Sequence, residues 1–112
     1  VRVGRQVLFS GHLSVDDDGT PVDGPLEAHL AHVLDRLLAT AARLGATPDD
    51  VVWLQYLTPD APPAEVFRGA VSAAHRARFP GPNRPATSLI GVTGLVVDGA
   101  LVEVTGMAVL PP

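Results

Sequence analysis

The chain reads as an α+β fold: a mixed sheet with two helices on one face, in a single domain spanning residues 1–112. Three observations predict this. Strand-like and helix-like segments alternate as β-β-α-β-α-β-β. Two long segments carry an apolar stripe at helical spacing. The strands are apolar on both alternating faces. Hydrophobic residues make up 46% of the chain and aromatics only 4%, so the core must be mostly Val, Leu and Ala.

Val1–Val3 and Gln6–Gly11 predict a hairpin turning at Gly4-Arg5. Asp16-Asp17-Asp18-Gly19 is a polar, solvated turn; its later spacing, and the residue twelve positions on, do not fit a calcium-binding EF-hand loop. Residues 25–45 form the clearest helix. Pro25 suits a first turn and Gly45 a C-terminal stop. Leu26, Leu30, Val33, Leu34, Leu37, Leu38, Ala41 and Leu44 draw one stripe. Asp49-Asp50 lead into a strand, 51–57, apolar apart from Gln55. A second helix is expected over 63–79. Its apolar stripe is Val66, Phe67, Ala70, Val71 and Ala74; Glu65, Arg68, Ser72, His75 and Arg76 form its polar side. After the rigid Pro80-Gly81-Pro82-Asn83 connection, 87–97 and 101–109 predict two strands joined as a hairpin at Asp98-Gly99.

Glu103 stands in the middle of the last strand. Val102, Val104, Gly106 and Ala108 point one way; Leu101, Glu103, Thr105 and Met107 point the other. A carboxylate among apolar neighbours costs free energy unless it is paired, protonated or facing a wet cleft. Glu103 is therefore the leading candidate acid or base. A sheet with helices on one face should leave the other face polar. These strands are apolar on both, so another copy of the chain is expected to cover the second face.

Composition narrows the function classes. The formal charge is −4 with no basic run, which argues against nucleic acid as the main partner. Cysteine is absent, so disulfides, thiolate metal sites and a cysteine nucleophile are excluded. Neither a signal peptide nor a membrane-spanning helix is expected, because Asp98, Gly99 and Glu103 interrupt the longest apolar region. A cytoplasmic location is the expectation. The chain begins at Val1 rather than Met, and a short preceding piece is expected. His29 and His32 sit three apart on the first helix, but no third ligand is spaced for a metal. No metal and no cofactor is expected.

Several fragments, in order, resemble the RidA/YjgF family. Val3-Gly4 and Val7-Leu8-Phe9-Ser10-Gly11-His12 resemble its first glycine, strand and Ser-Gly-Gln. Val33-Leu34-Asp35, residues 42–46 and Asp50-Val51-Val52 resemble its helix, Ala-Gly helix end and next strand. Pro85-Ala86-Thr87-Ser88 resembles Pro-Ala-Arg-Ser/Thr, and Leu101-Val102-Glu103-Val104 the terminal Val-Glu-Ile strand. The resemblance implies a chorismate-mutase-like fold, a homotrimer and a small-molecule site between subunits. It implies hydrolysis of enamines and imines such as 2-aminoacrylate. In the family an arginine grips the substrate carboxylate, and the terminal-strand glutamate positions water or moves a proton.

Here Glu103 is kept and the arginine is Thr87, which offers a hydroxyl and no charge. A substrate other than 2-aminoacrylate follows, including a specialised-metabolite intermediate that tautomerises or cyclises. Glu103 is the expected catalytic residue. Thr87, Ser10, His12, Thr105 and Arg84 are the expected substrate-binding residues; Arg84, in a Pro-flanked loop three residues before Thr87, either reaches in for the missing charge or is a solvated surface arginine. The alternative is a non-catalytic ligand-binding or regulatory trimer.

Overall fold

The structure, a computed structural model, describes residues 1–59 and 61–112. The expected element order holds. Strands β1 (Arg2–Val3) and β2 (Gln6–Leu13) precede helix α1 (Leu26–Arg43); strand β3 (Val51–Thr58) precedes helix α2 (Ala64–Arg78); β4 (Ala86–Gly91) and β5 (Glu103–Val109) close the chain. They build one five-stranded mixed sheet in the order β1-β2-β5-β3-β4.

Local chemistry sets the turns. Val3 pairs with Gln6, leaving Gly4-Arg5 as a two-residue loop. Gly4 takes φ +61° while Arg5, like every other described non-glycine residue, has a negative φ, which is the II′ turn that suits strand twist. Helix α1 stops where Gly45 adopts φ +90°. There the Gly45 N–H donates to the Ala42 carbonyl and the Ala46 N–H to the Ala41 carbonyl, a Schellman closure. Between the helix and β3, Thr47 and Asp50 cap one 3₁₀ turn reciprocally.

The end of the chain differs from the sequence expectation. β4 stops at Gly91, and residues 92–100 form no strand. Asp98-Gly99 is a turn, with Gly99 at φ +89°, but it joins no hairpin. Instead β4 runs parallel to β3 after the α2 crossover, while β5 inserts between β2 and β3, antiparallel to both. The connection from β4 must therefore pass over β3. Turn chemistry at Asp98-Gly99 fixed a reversal of the chain, not its partner.

Both helices cover one face. Leu30, Val33, Leu34 and Leu37 of α1, with Phe67 and Val71 of α2, pack on Val7, Phe9, Leu54, Tyr56, Val104 and Ala108 of the sheet. Two expectations for α2 change. Val66 is 54% exposed, outside the buried stripe, and His75 is buried rather than on the polar side. Gly106 lets β3 and β5 approach: a Cβ there would strike the Trp53 carbonyl oxygen and lie 2.8 Å from Leu54 Cδ2. Among the described residues nothing covers the opposite face, and Leu8, Val52 and Ile90 are 44%, 39% and 39% exposed there or at its edges.

Candidate functional site

Alternation along β5 sorts its residues as expected. Val102, Val104, Gly106 and Ala108 are buried, while Leu101, Glu103, Thr105 and Met107 are half-exposed toward the uncovered face. Strand register then sets rows across that face. Glu103 pairs with Leu57, which pairs with Ile90; Thr105 pairs with Gln55, which pairs with Ser88. The Glu103 carboxylate thus stands beside a strip of one amide and two hydroxyls. Gln55 and Ser88 were not among the expected site residues. Gln55 carried a signal, as the one polar residue in an apolar strand. Ser88 carried none, because its place depends on the parallel β3–β4 register.

The Glu103 side chain lies over the backbone of β2. A Cβ on Gly11 would lie 2.8 Å from Glu103 Cδ, 2.9 Å from Oε2 and 3.1 Å from Oε1. Only glycine leaves room for the carboxylate in that position. Glu103 accepts no hydrogen bond from the described residues, so its oxygens remain available on the open face.

A β-bulge creates this bed. Phe9 pairs with Gly106 and His12 with Val104, so Ser10 and Gly11 together oppose Thr105. Thr105 Oγ1 donates to the Phe9 carbonyl at 2.5 Å and fastens the strand beside the bulge. The bulge also breaks simple alternation between Ser10 and His12. His12 shares the side of Val104, facing the helices. Its Nδ1–H donates to the Ser10 carbonyl at 2.8 Å, and its Nε2 meets Thr40 Oγ1 of α1 at 3.1 Å. Within one chain His12 is thus kept from Glu103, and it ties the bulge to α1.

Thr87 and Arg84 also lie away from Glu103. Thr87 pairs with Leu54 of the buried side, so it faces the helix layer. Its hydroxyl donates to the Pro85 carbonyl at 3.1 Å, and it lines a cavity of about 210 Å³ against α2. Arg84 is exposed; burial first, and then the Arg84 charge, lower the pKa of His75. The structure therefore gathers Glu103, Thr105 and the Ser10-Gly11 bulge on one side of the sheet. Thr87 stands on the other side, and His12 and Arg84 do not join either group.

The two remaining histidines are structural. His29 is buried with Nδ1 2.7 Å from Ser14 Oγ, and burial lowers its pKa. The same Ser14 Oγ accepts the Leu101 N–H at 3.1 Å, which anchors the lead into β5. His32 Nε2–H donates to the Val15 carbonyl at 2.7 Å. Among the described residues no helix is long and apolar enough to cross a membrane.

Comparison with known proteins adds to this geometry. The family model described as Endoribonuclease L-PSP matches residues 1–110. No curated protein matches the chain. Among solved structures, the chain is similar to a Yersinia pestis protein of unknown function from the conserved Rid family. That match has 32% identity and TM-score 0.84 over 96% of this chain and 80% of the other. A Mycobacterium tuberculosis member of the YjgF/YER057c/UK114 family matches at 29% identity and TM-score 0.78, over 97% and 82% of the two chains. RidA from the Antarctic bacterium Psychrobacter shares the fold, at 24% identity and TM-score 0.82 over 98% and 85%.

Proposed function

The chain belongs to the Endoribonuclease L-PSP family, the RidA/YjgF group, and from that premise we propose that it acts on a small molecule in a cleft between subunits of a homotrimer. The observation that carries this reading is Glu103. Among the described residues it is a carboxylate without a hydrogen-bond or ion-pair partner, on the sheet face opposite the helices, seated over Gly11 and beside Thr105 and Gln55. A second copy seated on that face turns the strip into a cleft. Thr87 and Glu103 lie on opposite sides of one sheet, so they can line a common site only across a subunit boundary.

The chemistry is water-dependent or proton-transfer chemistry: hydrolysis of an imine or enamine, or tautomerisation of a related intermediate. Glu103 holds the water or carries the proton. Thr87 binds by hydroxyl where the family's arginine would bind by charge, so the substrate differs from 2-aminoacrylate. The net charge of −4 and the lack of a basic stripe support a small-molecule ligand over RNA, despite the family's description. Thr87 also favours a second reading, a trimer that binds a ligand without turning it over.

Ammonia release from 2-aminoacrylate separates the readings. Loss of a charged hydrogen-bond partner costs about 2–4 kcal/mol, so hydrolysis should be roughly 30- to 1,000-fold slower than by a relative that keeps the arginine. Thr87→Arg should raise the rate, and adding Glu103→Gln should abolish the gain. A Thr87→Arg trimer that gains nothing would leave the non-catalytic reading standing.

A further inference from the structure

A polar pair that the family pattern does not account for lies on the helix side of the sheet. Tyr56 of β3 is fully buried, and its hydroxyl meets His75 Nε2 at 2.5 Å. His75 of α2 is 8% exposed, and its ring stands edge-on to Phe79 with centroids 5.0 Å apart. It lines the 210 Å³ cavity together with Arg68, Val71, Ser72, Thr87 and Leu89. Its other nitrogen, Nδ1, has no hydrogen-bond partner among the described residues.

These contacts fix the proton positions. Burial pushes the Tyr56 phenol far above its ordinary pKa, so it keeps its proton. Among the described residues its one acceptor is His75 Nε2. A proton on Nε2 would leave the phenol O–H buried with no acceptor. Burial, then the charge of Arg84, lowers the His75 pKa and keeps the ring neutral. Among the described residues no carboxylate lines the cavity to oppose this. Neutral His75 therefore carries its proton on Nδ1, the nitrogen left free for a ligand.

We propose that His75 is a further catalytic residue: a neutral imidazole, locked as the Nδ1–H tautomer by Tyr56, that donates a hydrogen bond to the substrate's carbonyl oxygen or imine nitrogen as charge develops there. This rests on the intersubunit cleft of the proposed function. Glu103 of a second copy takes the proton from the carbon beside the carbonyl. The C–H electron pair moves into the new C=C bond, and the carbonyl π pair onto oxygen, where the His75 N–H stabilises it. The proton returns to carbon when the pair collapses back, and His75 itself stays neutral throughout. Tyr56 is a positioning residue that acts through the ring. The substrate class is a small carbonyl or imine compound with an ionisable hydrogen on the adjacent carbon.

Two measurements on the whole protein test this. In nitrogen NMR of the histidine rings, His75 should be neutral with its proton on Nδ1 at pH 7, and Tyr56→Phe should give mixed tautomers. Ethyl 2-oxobutyrate, a neutral keto ester, serves as probe, and exchange of its C3 hydrogens in D₂O is followed by proton NMR. Wild type should exchange them faster than buffer. His75→Phe should lower kcat on the order of 100-fold or more with a smaller change in KM. His75→Asn, which returns an N–H near the Nδ1 position, should recover part of the loss. An Nε2–H tautomer in wild type, or a wild-type rate in a folded His75→Phe protein, overturns the proposal. If wild type is inert on the probe, sedimentation of the same sample tells the cases apart. An inert trimer removes the role of His75, whereas a monomer removes the cleft itself.

Discussion

Glu103 lies over Gly11, which offers no side chain beneath the carboxylate. The carboxylate contacts bare backbone where a Cβ would fall 2.8 Å from its Cδ. Glu103→Gln keeps the shape but removes the carboxylate that would take or hold a proton. We expect turnover to fall about 100- to 10,000-fold in a trimer that still forms and still binds ligand. Normal turnover by that variant contradicts a catalytic role, and failure to assemble assigns the carboxylate to structure. At this scale the sequence was readable where alternation alone decides. Glu103 and Thr105 are on the face that the strand pattern assigns them. It was unreadable where register decides. Ser88 joins the strip only through pairing with Gln55, and His12 leaves it because one extra residue in β2 turns the strand over.

The elements divide in the same way. Helix α1 was legible from Pro25 to Gly45 because its stripe and its glycine stop are local signals. The expected β4–β5 hairpin does not form, because Asp98-Gly99 reports a turn and carries no information about which strand is the neighbour. What places β5 between β2 and β3 includes Gly106, where the strands come too close for any side chain. Gly106→Ala should cost about 1–3 kcal/mol, as overpacking does, read as a lower midpoint in chemical denaturation. An unchanged midpoint would show that the close approach is not needed.

The helix–sheet layer also predicts a pH dependence. Burial holds the His29 and His75 pKa values below the ordinary 6.5, to which both return on unfolding. The unfolded chain then binds more protons at acid pH. Their contribution to stability is complete above about pH 6.5 and is lost as pH falls from there through the lowered folded values. The thermal midpoint should drop between pH 7 and 5.5, and the drop should shrink in His75→Phe. A midpoint flat across that range contradicts the buried, neutral placement of both rings.

The whole molecule is packed on one side only. Its helices bury a continuous core against one sheet face, while the other presents Leu8, Trp53, Leu57 and Met107 around the Glu103 strip. This asymmetry was visible in the sequence, as strands apolar on both faces with helices enough for one. The identity of the cover was not visible, since an apolar face specifies burial and not a partner. The cover proposed here is two further copies, which alone bring Glu103 and the Thr87–His75 cavity into one cleft. Sedimentation equilibrium at micromolar concentration tests it most directly: a mass near three times 11.6 kDa is the predicted result, and a clean 11.6 kDa monomer would contradict both the oligomer and the site.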